Sequence, residues 1–303
     1  MNTKGDAVFR RTLYIFAVIA FLLLFGIFIF LLDLSFPALK EVSITNLFGR
    51  EWNPPLKSFG ILPFIYGTLA SSFLALLIAT PVSIAAALFL TELAEKRMGA
   101  LFGFLVEMLA AIPSVVYGLW GLFVVIPWLR ESIQPWLRDH LGFLPFFSGP
   151  IYGVSLMAAA WILAIMIIPT ITAICKEVFY SVPKSLKEGV LALGSTEHEM
   201  LLIGVLYSSR SGILGAMVLG LARALGETMA VAMVIGNAPE ISISLFSPHQ
   251  TMASAIASEV AEASGTHLAA LGLVGLVLLL ISATVFLILR LMISGSSSRG
   301  RHS

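Results

Sequence analysis

Polar and apolar positions in this chain do not alternate; they separate into long blocks. No acidic or basic side chain lies between Arg11 and Asp33. The same holds from Ser58 to Thr91, from Met108 to Trp128, from Leu141 to Cys175 and from Ala263 to Leu289. A further apolar block, 211–236, is interrupted only by Arg223 and Glu227. A hydrocarbon layer about 30 Å thick is crossed by a helix of about 20 apolar residues. The blocks therefore predict six helices, at about 12–33, 65–91, 101–129, 151–174, 212–236 and 269–292. The expected fold is all-α, a polytopic membrane protein. The first block follows Arg10 and Arg11 but is longer than the core of a signal peptide, and no small-x-small site follows it, so it reads as a span.

Composition supports that picture. Of 303 residues, 58% are apolar and 12% charged, with a mean hydropathy of +0.98. A soluble domain has about 45–50% and about 25%, so a water-soluble enzyme and a disordered chain are both excluded. Eighteen Lys and Arg face seventeen Asp and Glu, which lacks the basic excess of a nucleic-acid binder. The single cysteine, Cys175, leaves no internal disulfide to form.

Sorting the basic residues by loop gives an orientation. Lys4, Arg10, Arg11, Lys96, Arg97, Lys176, Lys184, Lys187, Arg210, Arg290, Arg299 and Arg301 fall on one side. Lys40, Arg50, Lys57, Arg130 and Arg138 fall on the other. Twelve against five makes the first side cytoplasmic, with both termini inside. The chain then divides into an N-terminal tail, first span and outer loop (1–64), a five-span core (65–293) and a cytoplasmic tail (294–303).

The longest cytoplasmic segment, about 175–211, carries its own helical pattern. Ser181 is a candidate cap and Pro183 suits a first helical turn. Gly194 suits a helix stop, and Thr196 with Glu199 forms the spacing of a capping box. Two short surface helices make a docking element for a partner; a solvated linker is the plainer reading. No Lys follows a Gly, so there is no phosphate-binding P-loop. There is no H-E-x-x-H zinc motif and no G-x-S-x-G nucleophile elbow, and the five histidines are scattered. An active site and a resident metal or other cofactor are not expected.

The two charges inside the sixth block matter most. Each costs about 2.5–3.5 kcal/mol at the centre of a span. In one continuous helix Arg223 and Glu227, at i and i+4, share a face and can pair. Such a pair belongs in the bundle interior or on a water-filled path. The Arg fork fits oxyanion oxygens, and Glu227 can hold it in their absence. The competing reading is that the pair only joins helices. Pro113 can kink the third span, while Ser114 and Tyr117, at i and i+3, could line a path or simply pack.

Three stretches carry a resemblance: Ala110–Gly121 (A-A-I-P-S-V-V-Y-G-L-W-G), Ala164–Pro169 (A-I-M-I-I-P) and Arg223–Ala230 (R-A-L-G-E-T-M-A). They resemble the permease subunits of bacterial phosphate ABC importers, the PstC type, from about Gly67 to the last span. The resemblance implies a type I ABC importer fold and half of a phosphate pathway through the inner membrane. It implies as partners a second similar permease, a dimer of ATP-binding subunits and a phosphate-binding protein outside. It maps the family's essential arginine and glutamate onto Arg223 and Glu227. It also implies an ATPase-docking loop, E-A-A-x-x-x-G-x9-I-x-L-P. Glu188, Gly194 and Leu206 match it; Gly189, Val190, Gly204 and Tyr207 depart from it. A sulfate or molybdate permease, a stand-alone anion transporter or channel, and a membrane scaffold are the alternatives.

Overall fold

The computed structural model describes residues 3–41 and 44–299. Arg301, counted above on the cytoplasmic side, and the last part of the 294–303 tail lie outside the described residues. Helix α1 spans Thr3–Glu41. A small antiparallel hairpin follows, with β1 (Trp52–Asn53) paired to β2 (Ser58–Phe59). Lys57 closes its turn in the left-handed region at φ 54°. Helix α2 (Leu62–Leu88) ends in a π-helical turn, Phe89–Leu93. Next come α3 (Lys96–Ala110) and a second arm, α4 (Ser114–Leu141), which includes two π-helical stretches. Helix α5 is Leu156–Tyr180 and α6 is Lys184–Ala192. A π-helical segment, Met200–Tyr207, leads into α7 (Arg210–Leu225), then α8 (Met229–Val234). Helices α9 (Met252–Glu259) and α10 (Thr266–Arg299) complete the described chain.

Among the described residues, four helices are long and apolar enough to cross a membrane unbroken. They lie in α1, α2, α5 and α10. Two bent pairs bring the number to six, α3 with α4 at 90° and Glu197–Tyr207 with α7 at 64°. The third predicted span, 101–129, is therefore not one straight helix. Pro113 has no N–H to donate and pushes the residue before it out of helical conformation, so the helix stops at Ala110 and restarts at Ser114. The fourth span lies further along than 151–174 because Ser155 caps it, accepting from the Ala158 amide at 3.2 Å.

The core is the α2–α5 pair. Thr68, Ser71, Ser72, Ala75, Ala79, Ser83 and Ala87 form a buried stripe of small residues along α2. Small side chains let helix backbones approach without a hydrophobic driving force from lipid. Two of the hydroxyls bond carbonyls one turn back: Thr68 donates to Phe64 O at 2.8 Å and Ser71 to Gly67 O at 2.7 Å. Ser83 crosses to α5, donating to Ile168 O at 3.2 Å. A second cluster sits at one end of the bundle, where Trp52 packs edge to face on Phe59 and on Phe64. Helix α1 rests on α10 there, with Leu34 over Gly272 and Leu31 over Gly275.

Polar ties join loops of one end to loops of the same end. Lys176 meets Glu107 at 2.6 Å and Lys187 meets Glu92 at 2.5 Å, all in loops or helix ends assigned to the cytoplasmic side. At the other end Glu259 accepts from the Trp52 indole at 3.0 Å and bonds His267 at 2.9 Å, and Tyr66 donates to Ser242 O at 2.9 Å. Each of these contacts joins segments within one of the two sets that the Lys/Arg count defines.

Candidate translocation site

The fifth predicted span, 212–236, is not continuous, and this alters the reading of its two charges. Helix α7 ends at Leu225, Gly226 caps it, and α8 begins only at Met229. Arg223 and Glu227 therefore do not share one helical face, and no ion pair within 4.0 Å joins them. Gly226 is a poor continuation of a helix, and the short hydroxyl side chain of Thr228 favours the start of a new one. Each charge instead finds a helix end. Arg223 lies in the last turn of α7, where orphan carbonyls favour a cation. Glu227 Oε1 accepts from the Ala230 amide at 3.1 Å, at the first turn of α8, where orphan amides favour an anion.

Arg223 has a specific neutral partner. Its Nη1 donates to Thr170 Oγ1 at 2.8 Å, and both residues are half-buried. Thr170 follows Pro169 in α5, within the apolar run that α2 packs against. Close approach makes the contact possible. A Cβ on Gly220, one turn before Arg223, would meet Ile171 of α5 at 2.7 Å. Among the described residues the Thr170 bond is the only hydrogen bond of the guanidinium, so further donors of its fork are free for an oxyanion.

The other break lies beside this one. Helix α4 packs on α8 through Gly118, where a Cβ would stand 2.7 Å from Met233 Sδ and 2.9 Å from Ala230 Cα. Tyr117 on the same turn is buried. Its hydroxyl donates to Leu109 O at 2.8 Å, across the Pro113 break, satisfying a carbonyl at the end of α3. Ser114, half-exposed, is the first residue of α4. The structure thus brings Arg223, Glu227 and Tyr117 into one neighbourhood at two adjoining helix breaks, with Ser114 one turn away. Thr170 went unmarked in the sequence; a lone threonine in an apolar run gives no signal beyond the proline before it.

The residues expected to dock a partner lie apart from this site and do not all share one surface. Glu188 is exposed on α6, and α6 has no buried residue. Gly194 stops it at φ +86°, a left-handed conformation suited to glycine. Leu193 beside it is 90% exposed. Leu206 lies elsewhere, partly buried against the main core from the π-helical segment. Thr196 and Glu199 form the expected capping box. These bonds to Thr196 hold the Glu199 carboxyl below its ordinary value of 4.5. Ser181 does not cap α6. It ends α5, donating to Val178 O at 2.6 Å, and Pro183 takes the position before α6.

Comparison with known proteins adds the following. Residues 80–296 match the family model described as "Binding-protein-dependent transport system inner membrane component". A phosphate transport system permease protein PstC of Pasteurella multocida is 47% identical over 292 residues, 95% of this chain and 91% of that protein. The corresponding protein of Haemophilus influenzae is 44% identical, covering 97% of this chain and 94% of its own. A probable phosphate transport system permease protein PstC of Methanocaldococcus jannaschii is 34% identical over 87% of each chain. Among solved structures, a chain of the inward-facing MetNI methionine ABC transporter superposes with a TM-score of 0.58 at 15% identity, covering 80% of this chain and 99% of that one. That likeness establishes the fold.

Proposed function

The chain belongs to the binding-protein-dependent transport system inner membrane components, and from that membership we propose that it is the transmembrane permease subunit of an ATP-driven phosphate importer. Its relatives named as phosphate permeases cover nearly the whole chain. The observation that carries the residue-level reading is Arg223, an arginine held inside a broken span by one neutral hydroxyl, with donors to spare.

Half of the anion pathway runs along the two helix breaks. Arg223 meets the phosphate with the free part of its fork, and Thr170 keeps the guanidinium aimed. Glu227 holds the start of α8 and so positions the break, while Ser114 and Tyr117 border it. A second, similar permease supplies the other half. ATP is hydrolysed on a pair of partner chains that dock on α6, with Glu188 at the contact and Gly194 ending the helix. Leu206 secures the following segment to the core. A phosphate-binding protein delivers the anion to the outer loops. The chain sits in the inner membrane with both termini in the cytoplasm, surrounded by lipid.

Phosphate uptake by cells relying on this subunit tests the reading. Arg223→Ala abolishes uptake while the ATP-binding subunits still copurify; loss of assembly instead makes the arginine a packing element only. Full uptake by Arg223→Lys, which keeps the charge and loses the fork, removes the bidentate part. Phosphate flux without ATP through liposomes holding this chain alone overturns the ATP-driven assignment.

A further inference from the structure

Helix α6 stands away from the bundle. It buries no residue, a Cβ on Gly189 or Gly194 would meet nothing within 4 Å, and Leu193 is open. One of its side chains turns inward. Lys187 Nζ reaches Glu92 Oε1 at 2.5 Å, and the two side chains are 19% and 11% exposed. The pair joins residues 95 positions apart. An exposed ion pair is worth little. A half-buried pair that loses one member leaves a charge without its partner and out of water, so breaking it is costly.

The position of Glu92 gives the pair its direction. It lies in the π-helical turn Phe89–Leu93 that finishes α2. From there the connections are continuous. Helix α2 runs along α5, Ser83 donates to Ile168 O, and Thr172 donates to Ser83 O at 3.4 Å. Two residues before Thr172, Thr170 holds Arg223. Helix α6 also packs on the Met200–Tyr207 segment, where Val190 lies over Gly204, an apolar contact.

We infer that the Lys187–Glu92 ion pair is the strut through which movement of the docking helix α6 reaches α2 and, along the α2–α5 interface, the Arg223 site. Both are positioning residues that touch neither phosphate nor ATP. The inference rests on the reading of α6 as the ATPase-docking element. Displacement of α6 pulls on Glu92 as a charged contact that resists separation, whereas the Val190–Gly204 contact can slide.

The test uses the complete importer in proteoliposomes, with three readouts: copurified ATP-binding subunit, ATP hydrolysis and phosphate taken up per ATP hydrolysed. Glu92→Gln and Lys187→Gln retain the first two and lower the third by about tenfold. The exchanged pair, Glu92→Lys with Lys187→Glu, restores it to within about twofold of the starting protein. Unchanged uptake per ATP in the single variants, or an exchanged pair no better than the singles, overturns the strut. So does loss of copurification in the singles, which makes the pair a support of the docking pose alone. If the singles fail to accumulate, the exchanged pair decides by the same ratio. Leu193→Ser reports separately on docking: normal copurification and hydrolysis in that variant count against α6 as the ATPase contact, while the ion pair is still decided by uptake per ATP in the single and exchanged variants.

Discussion

The two helix breaks, at Pro113 and at Gly226, face the same physical problem and solve it differently. Each exposes helix-end carbonyls and amides at a depth where water is scarce, and each must satisfy them. At the first, a neutral buried phenol bonds a carbonyl across the gap, Tyr117 to Leu109. At the second, an ionised group sits at each end, Arg223 at the close of α7 and Glu227 at the start of α8. The neutral solution consumes its donor. The charged solution leaves donors over, and that surplus is what the proposed anion contact draws on.

The largest expected effect contrasts the two directly. Arg223→Ala lowers phosphate uptake by about 100-fold or more, the scale of removing a charged partner from a buried anion contact. Tyr117→Phe, measured in the same assay, leaves uptake within about twofold and lowers thermal stability in detergent by only about 1 kcal/mol. A Tyr117→Phe variant as inactive as Arg223→Ala dissolves the distinction. Next in size is Gly118→Val, which puts side-chain atoms where Met233 and Ala230 already are. A cost of about 1–3 kcal/mol is expected, read as a lower melting temperature. Glu227 tests the charged break more finely. Glu227→Ala removes the acceptor for the Ala230 amide and costs about 1 kcal/mol, whereas Glu227→Gln keeps an oxygen there and costs less. Equal losses for the two count against the capping role.

The smallest effect lies on the docking surface. Thr196 holds the Glu199 carboxyl below its ordinary 4.5. A depressed folded-state value means a contribution that is present above the unfolded value and lost as pH falls through the folded one. Hydrogen exchange of the Met200–Tyr207 amides should therefore stay slow from neutral pH to about 4.5 and lose protection below it, after correction for intrinsic rates. Protection unchanged in Thr196→Ala removes the cap from the account.

The blocks of uncharged residues made the number of spans legible, because lipid penalises charge and unsatisfied backbone so strongly. Pro113 was legible as a kink, since its chemistry is local. The 90° angle was not, since it depends on α4 packing against α8 at Gly118. Gly226 had its signal in Gly-Glu-Thr, but the apolar run on both sides reads as one helix, and the i, i+4 pairing of Arg223 with Glu227 followed from that continuity. Thr170 and Glu92 were invisible for a different reason. Each meets its partner across a long loop of chain, 53 and 95 positions away, and no local pattern encodes such a distance.

The rest of α1 on α10 sets an order of events in the making of the protein. The first helix leaves the ribosome with no neighbour, because Thr266, where its partner begins, comes 225 residues after Glu41 (266 − 41). At about 5–20 residues per second that interval is roughly 10–45 s. During it the grooves at Gly272 and Gly275 that receive α1 do not yet exist. Helices α1 and α10 can close together only after Thr266 and the residues that follow it have been made, which makes this contact a late seam of assembly.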